Sequence, residues 1–241
     1  MSWLADHLNQ CSLSEADEGY ALGRGAKAAS ILEIGLTTWQ PLNEPPPLEG
    51  PARNFWLKKY GPCGEKLLGW LTWPLLSPRG RVIGFAARRT DVKVIERYLL
   101  PEAAWNPIWT GMTPERMRRI WDGADIWVVE GIFDLFPLEW AVSAQDVVLG
   151  SERARLTAKH VEFLRRHCRG WVRMVYDNDQ TGRRGVEGWY DEEAKQPRPG
   201  ALARLKRVGV RCLDVRYRGK DPGEVWKQGG AAAVRAAFTL G

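Results

Sequence analysis

The sequence predicts an α/β fold in which an α+β N-terminal subdomain is followed by a Rossmann-like parallel sheet. After residue 124, short apolar segments alternate with segments of helical character, the pattern of buried parallel strands joined by crossover helices. Before residue 120, two β-rich segments flank a Ser-Pro-Arg-Gly turn, which is typical of an antiparallel hairpin. The change in pattern predicts two domains, 1–120 and 121–241.

The N-terminal subdomain is expected to combine helices with a small antiparallel sheet. A capping box beginning at Ser12 and a proline after Thr113 indicate helix starts, so helices are predicted over 12–23, over 26–33 and from 113 onward. Strands are predicted over 66–76, 81–87 and 94–100. The proline-rich segment 41–51 is predicted to be a loop, because proline cannot donate a backbone hydrogen bond.

The C-terminal subdomain is expected to alternate strands and helices. The predicted strands are 126–129, 146–149, 172–176 and 210–215, each a nearly continuous apolar segment. Helices are predicted over 133–143, 157–167 and 183–207, the last with a break at 196–200.

Composition narrows the function classes. The net charge of +6 favours a polyanionic partner such as nucleic acid. The four cysteines are scattered and there are only three histidines, so no zinc site or disulfide framework is expected. The sequence shows no secretion signal and no apolar segment long enough to cross a bilayer, which favours a cytoplasmic protein without a membrane partner.

Acidic residues follow three of the four predicted C-terminal strands. Glu130 ends the first, with Asp134 one helical turn on; Asp177 and Asp179 follow the third; Asp221 follows the fourth. Ligands collect beyond the carboxyl ends of parallel strands, and clustered carboxylates repel one another without a cation. The pattern predicts an all-oxygen site for Mg²⁺ or Mn²⁺ suited to phosphoryl transfer.

At these residues the sequence resembles the Toprim family, and within it the DnaG-type primases. Residues 128–134, VVEGIFD, are similar to the family's V-V-E-G-Y-x-D element, and 176–183, YDNDQTGR, resemble its D-x-D-x-A-G element. Residues 219–222, GKDP, resemble the G-x-D-P-D element, although Gly223 replaces the second aspartate. Weaker similarities to primase elements occur at 20–25, 73–88 and 97–102, so the resemblance covers roughly 20–225.

The resemblance implies a primase core that synthesises short RNA primers on single-stranded DNA from nucleoside triphosphates. It implies catalytic roles for Glu130, Asp177 and Asp179, and metal binding by Glu130, Asp134, Asp177, Asp179 and Asp221. Basic residues on or beside the predicted hairpin sheet suit phosphates, and the resemblance places this sheet beside the template and the nucleotides. Nucleotide or DNA binding is therefore predicted for Arg88 and Arg97, and also for Arg81, with Arg89 and Lys93 as further candidates. The same role is predicted for Lys220 in the GKDP segment. A replicative helicase or a separate zinc-module protein is an expected partner.

The chain also departs from the primase pattern. It has no room or cysteines for the zinc module, no counterpart of the lysine that usually precedes the Toprim part, and a break at 196–200 that indicates an extra loop. The missing zinc module favours a phage, plasmid or mobile-element origin. Two alternatives stay open: a Toprim nuclease, and a catalytically weak protein that binds DNA or a helicase. The choice between ribo- and deoxyribonucleotides is also open.

Overall fold

The computed structural model describes residues 3–92 and 94–238, so Lys93 lies outside the described residues. It contains one antiparallel and one parallel sheet, each of four strands, together with a two-stranded hairpin. The antiparallel sheet precedes residue 120 and the parallel sheet follows it. The predicted α/β class is therefore confirmed.

The elements follow one another along the chain without long gaps. The helices are α1 (Trp3–Gln10), α2 (Glu15–Gly23), α3 (Ala28–Ile34), α4 (Gly50–Tyr60), α5 (Pro114–Trp121), α6 (Ile132–Leu138), α7 (Ala158–His167), α8 (Gln180–Glu187), α9 (Ala201–Arg207) and α10 (Pro222–Phe238). The strands are β1 (Thr37–Thr38), β2 (Leu71–Leu76), β3 (Val82–Arg88), β4 (Ile95–Leu99), β5 (Ile126–Val129), β6 (Val147–Gly150), β7 (Val172–Met174), β8 (Gly188–Asp191), β9 (Gln196–Pro199) and β10 (Cys212–Asp214).

The N-terminal helices differ from the prediction in two places. Helix α2 is capped by Ser14, whose side chain accepts from the backbone N–H of Asp17 at 3.2 Å, so the predicted cap at Ser12 was wrong by two residues. Helix α4 was not predicted, because it has only two buried residues, Trp56 and Tyr60, and therefore shows little helical periodicity.

The antiparallel sheet has the strand order β1-β2-β3-β4. Strands β2 and β3 form the predicted hairpin, and β4 pairs with β3 through Phe85 opposite Tyr98. The aromatic side chains of Trp39, Trp56 and Tyr60 pack near this pair, so one face of the sheet is covered by an aromatic core.

The parallel sheet has the strand order β10-β7-β5-β6. Helices α6 and α10 contribute to the hydrophobic core on one face, and α5, α7, α8 and α9 contribute to the core on the other. The strands are thus buried on both faces, which explains their continuous apolar sequences. The first of these cores also includes residues of α2, α3 and β2, so the two subdomains share one hydrophobic core.

Two regions of the C-terminal subdomain depart from the prediction. The segment expected to remain helical up to residue 195 instead turns into the antiparallel hairpin of β8 and β9. Its residues are mostly exposed, and a solvated hairpin leaves no strong apolar signal. Helix α10 was not predicted, and its helical geometry is interrupted at Gly229 and Gly230.

A buried arginine joins the two subdomains. The Arg116 guanidinium lies 3.1 Å from Glu33 of α3 and 2.5 Å from Glu139, which follows α6, and it also donates to the carbonyl of Val148 at 2.9 Å. Because its side chain is only 2% exposed, its charge requires these partners. Among the described residues, no helix is long and apolar enough to cross a membrane.

Candidate active site

Strand pairing brings the first two acidic residues together. Strands β5 and β7 are neighbours, with Val128 opposite Met174, and each leads into an acidic residue at its carboxyl end. The backbone N–H of Asp177 donates to Oε1 of Glu130 at 3.4 Å. The two carboxylates are therefore adjacent at the edge of the sheet where ligands of such folds collect.

Asn178 holds the third acidic segment next to them. Its side-chain amide donates to the carbonyls of Tyr217 at 3.0 Å and Gly219 at 2.7 Å, and its backbone N–H donates to the carbonyl of Lys220 at 2.7 Å. These bonds fix the loop that carries Asp221 beside Asp177. Sequence reasoning missed Asn178, although its position between two aspartates was a usable signal.

Asp134 lies where α6 meets the start of α10. Its Oδ1 accepts from the backbone N–H of Gly223 at 3.4 Å. A Cβ atom at position 223 would lie 3.0 Å from Nη2 of Arg24 and 3.1 Å from the carbonyl oxygen of Phe133. This tight approach favours glycine where the primase pattern has aspartate, and Glu224, the next residue, lines the same cleft.

Asp179 has a different local role from Asp177. It is exposed, and its Oδ1 accepts from the backbone N–H of Gly182 at 2.9 Å, which caps α8. Its negative charge still acts on the site, since it contributes to raising the pKa of Asp177. It does not line the cleft that the other acidic residues share.

The acidic residues open into a cleft of about 480 Å³ between the two subdomains. Its lining contains carboxylates and cations in equal number: Glu130, Asp134, Glu152, Asp177, Asp221 and Glu224, with Arg24, Arg88, Arg97, Arg153, Lys220 and Lys227. Of the predicted basic residues, Arg88, Arg97 and Lys220 are thus brought to the carboxylates. Arg81 lines a separate hollow near α1 and α3.

The arginines that come from the antiparallel sheet are held beside the cleft. The Arg88 guanidinium lies 4.6 Å from the ring centroid of Phe133, which favours the cation. Nη2 of Arg97 lies 2.7 Å from Glu152. Within the described part of the chain, the Nε atoms of Arg24, Arg88 and Arg97 are buried without a hydrogen-bond partner.

The carboxylates have strongly perturbed pKa values. Burial, followed by the charge of Asp177, raises the pKa of Glu130 to about 7. Burial and the charges of Asp177 and Asp221 raise the pKa of Asp134 to about 8. The pKa of Asp177 rises to about 6 through burial and then Asp221 and Asp179, against the opposing charge of Lys220. Such crowded, desolvated acids are a feature of functional sites.

These residues fit a divalent cation without forming a closed cage. Across residues 3–92 and 94–238, no three His, Cys, Asp or Glu side chains are already close enough to hold a metal ion together. However, Oδ1 of Asp177 is buried without a hydrogen-bond partner, and hard oxygen donors with few protein ligands are typical of Mg²⁺ sites that also use substrate phosphates. We conclude that the donor set suits Mg²⁺ or Mn²⁺.

Several charged residues of the cleft were absent from the predicted site, and Arg24 and Glu152 have the clearest contacts among them. Arg24 lies 5.4 Å from the Phe133 ring, and its charge opposes the rise in the pKa of Asp134; it occurs in one of the segments that resemble primases. Glu152 is buried, has a left-handed backbone with φ of 60°, and accepts from the hydroxyl of Thr110. It follows the end of β6 by two residues, so the rule used for the other three strands would have identified it.

Comparison with solved structures identifies the fold. The zinc-binding and RNA polymerase domains of Aquifex aeolicus primase align over 98% of this chain with a TM-score of 0.64 and 21% identity, and this chain spans 59% of that protein's length. The DnaG primase catalytic domain bound to single-stranded DNA aligns with a TM-score of 0.58 and 20% identity, covering 96% of this chain and 73% of that one.

A phage protein shares the same architecture. The primase fragment of the bacteriophage T7 primase-helicase aligns with a TM-score of 0.54 and 13% identity, covering 95% of this chain and 74% of that one. No family model matches the sequence, and no curated protein matches it. The chain therefore has the fold of DnaG-type primase catalytic cores at low sequence identity.

Proposed function

We propose that this chain, which has the fold of DnaG-type primase catalytic cores, joins ribonucleoside triphosphates into short RNA primers on single-stranded DNA. The observation that carries the proposal is the shared cleft. Carboxylates from the strand ends of the parallel sheet meet arginines of the antiparallel sheet there. Phosphoryl transfer needs these two components, since it is catalysed by positioning and by charge stabilisation.

The acidic residues divide into two groups in this proposal. Asp177 holds the principal cation in the cleft, and Asp179, whose Oδ1 caps α8 outside the cleft lining, binds the same cation through its second carboxylate oxygen. Asp134 and Asp221 support an additional cation. When bound, Mg²⁺ or Mn²⁺ supplies neutralisation of phosphate charge. Glu130, with its pKa near 7, takes the proton of the attacking hydroxyl at a pH where both of its protonation states are populated.

The basic residues orient the nucleotide. Arg88 and Arg97 offer guanidinium groups to the triphosphate or the template backbone, and Lys220, which is exposed beside Asp177, offsets negative charge when phosphates enter. Arg81, which lies in a separate hollow, is assigned to a more distant part of the template. A cytoplasmic location and a helicase or zinc-module partner belong to the same proposal.

The test is a combined synthesis and cleavage assay. The pure protein is incubated with end-labelled single-stranded DNA, with nucleoside triphosphates that carry a different label, and with Mg²⁺ or Mn²⁺. An Asp177→Ala, Asp179→Ala variant is the control. We expect short labelled products from the wild-type protein alone. Cleavage of the template would instead establish a nuclease. If neither product nor cleavage appears, even with an added zinc-module protein, the primase proposal falls and a binding role is favoured.

A further inference from the structure

A second groove opens directly from the catalytic cleft and has a much more basic lining. It has a volume of about 840 Å³ and shares Arg97, Glu152 and Arg153 with the cleft. Its walls come from the loop after β6, from α8 and α9, and from the β8–β9 hairpin. We call it the arginine groove, after its six arginines: Arg97, Arg153, Arg155, Arg184, Arg198 and Arg204.

The positive charge of this groove is largely uncompensated. Among the described residues, the one carboxylate in its lining is Glu152, which is buried and already paired with Arg97 at 2.7 Å. Arg198 pairs with Asp191, whose carboxylate is outside the lining. The clustered positive charges also act on a neighbouring histidine. Burial is the largest cause of the lowered pKa of His160, and the charges of Arg153 and Arg204 help lower it to about 4.

Several of these cations are presented to solvent on a supported frame. Arg153, Arg155 and Arg184 are exposed, and the Arg155 guanidinium lies 4.6 Å from the ring centroid of Trp189 on the hairpin. The loop that carries Arg155 packs closely on α8, because a Cβ at Gly185 would overlap the carbonyl oxygen of Ala154. Ordered guanidinium groups lose less entropy when they bind phosphates.

We propose that the arginine groove binds the phosphate backbone of a single-stranded nucleic acid that runs through the catalytic cleft. The chemistry fits this ligand, since arginines spread over five chain segments suit repeated phosphates better than one compact anion. Trp189 adds an aromatic face of the kind on which bases stack. Continuity with the cleft through Arg97 gives the strand a direct path between the two.

The inference rests on the proposed function only in taking nucleic acid as the substrate of the cleft. It also gives the β8–β9 hairpin a role: Trp189, Arg198 and Pro199 form one wall of the groove. An extra hairpin at this place extends the binding surface without altering the carboxylates.

The experiment measures binding of fluorescein-labelled oligothymidine by anisotropy over a series of salt concentrations. The test variant is Arg155→Gln, Arg184→Gln. The control is Arg53→Gln, Arg207→Gln, which removes the same charge from exposed positions outside the groove and the cleft. All proteins are compared with and without Asp177→Asn, so that binding is measured independently of catalysis.

We expect the groove variant to bind about 10-fold more weakly at moderate salt, with the slope of log K against log salt reduced by about 1.4 for two lost single-strand phosphate contacts. The control should match the wild type. Unchanged affinity and slope in the groove variant would overturn the proposal. The proposal would also be overturned if polyglutamate bound as tightly as the oligonucleotide and lost the same affinity in the groove variant, because the groove would then be a general polyanion site.

The two proposals fail in different ways. If the wild-type protein makes no primers and the groove variant binds the oligonucleotide more weakly than the wild type, the groove assignment stands and the primase proposal falls. If it makes primers while the groove variant binds normally, the groove assignment falls and the primase proposal stands.

Discussion

Replacing Asp177 by asparagine should stabilise the metal-free protein at alkaline pH. The Asp177 carboxyl lies beside Glu130, and burial, followed by the charges of Asp221 and Asp179, raises its pKa from 3.8 to about 6. Holding the group ionised in the fold therefore costs free energy that the unfolded chain does not have to supply. The variant removes the charge while keeping a side chain of the same shape.

The size of the effect follows from the pKa shift. A shift of about two units corresponds to roughly 3 kcal/mol as an upper limit. Because the side chain is partly exposed and its amide replacement is also desolvated, we expect a gain of about 1–2 kcal/mol. For a protein of this size this is an increase of about 2–8 °C in Tm.

The raised pKa of Asp177 also determines whether the stability of the protein rises or falls with pH. Since the folded-state pKa of Asp177 is raised, the native protein binds more protons than the unfolded one between pH 3.8 and about 6. Wild-type stability therefore falls as pH rises through this interval, and the coupled Glu130 and Asp134, with pKa values of about 7 and 8, extend the fall. The advantage of the variant should be small near pH 4 and largest near pH 8.

The assay is thermal unfolding with a chelator at several pH values, with Asp122→Asn, an exposed carboxylate, as the control. Added Mg²⁺ should raise the Tm of the wild type at pH 8 and that of Asp177→Asn much less. If Asp177→Asn lowers the Tm at pH 8, or shifts it equally at both ends of the range, the carboxylates do not repel one another as argued.

Two further substitutions test the framework around the site. Arg116→Met leaves Glu33 and Glu139 without their buried partner, and should lower the free energy of unfolding, measured in urea, by about 3–5 kcal/mol. A decrease below about 1 kcal/mol would contradict the role of these two ion pairs in joining the subdomains. Asn178→Ala releases the loop that carries Asp221, and should lower primer synthesis by about 10-fold or more with a higher Mg²⁺ requirement. Unchanged Mg²⁺ dependence would show that Asn178 does not position the acidic residues.

Sequence patterns predicted the parallel sheet better than any other part of the fold. Strands such as β5 and β7 are buried on both faces, so their apolar character is continuous and their acidic ends stand out. Because parallel pairing aligns the carboxyl ends, Glu130 and Asp177 were expected to meet, and they do. The hairpin of β2 and β3 was equally visible through its turn residues.

The features that were missed have weak local signals. Helix α4 buries little, and the exposed hairpin of β8 and β9 has no apolar alternation to identify it. Glu152 is an exception, because it follows the end of β6 as the other acidic residues follow their strands; only its left-handed backbone conformation and its contacts with Thr110 and Arg97 have no sequence signal. Likewise, Asp179 follows β7 as predicted, but its side chain caps α8, and a D-x-D pattern does not distinguish a cap from a ligand.

The central claim is that the cleft performs template-directed nucleotide joining. The most direct measurement supplies single-stranded templates of defined base composition with one labelled ribonucleoside triphosphate at a time, using the wild type and Glu130→Gln with Mg²⁺. We predict that the wild type incorporates only the nucleotide complementary to the template and that Glu130→Gln loses at least about 100-fold in rate. Incorporation that ignores the template, or a Glu130→Gln variant as active as the wild type, would contradict the account.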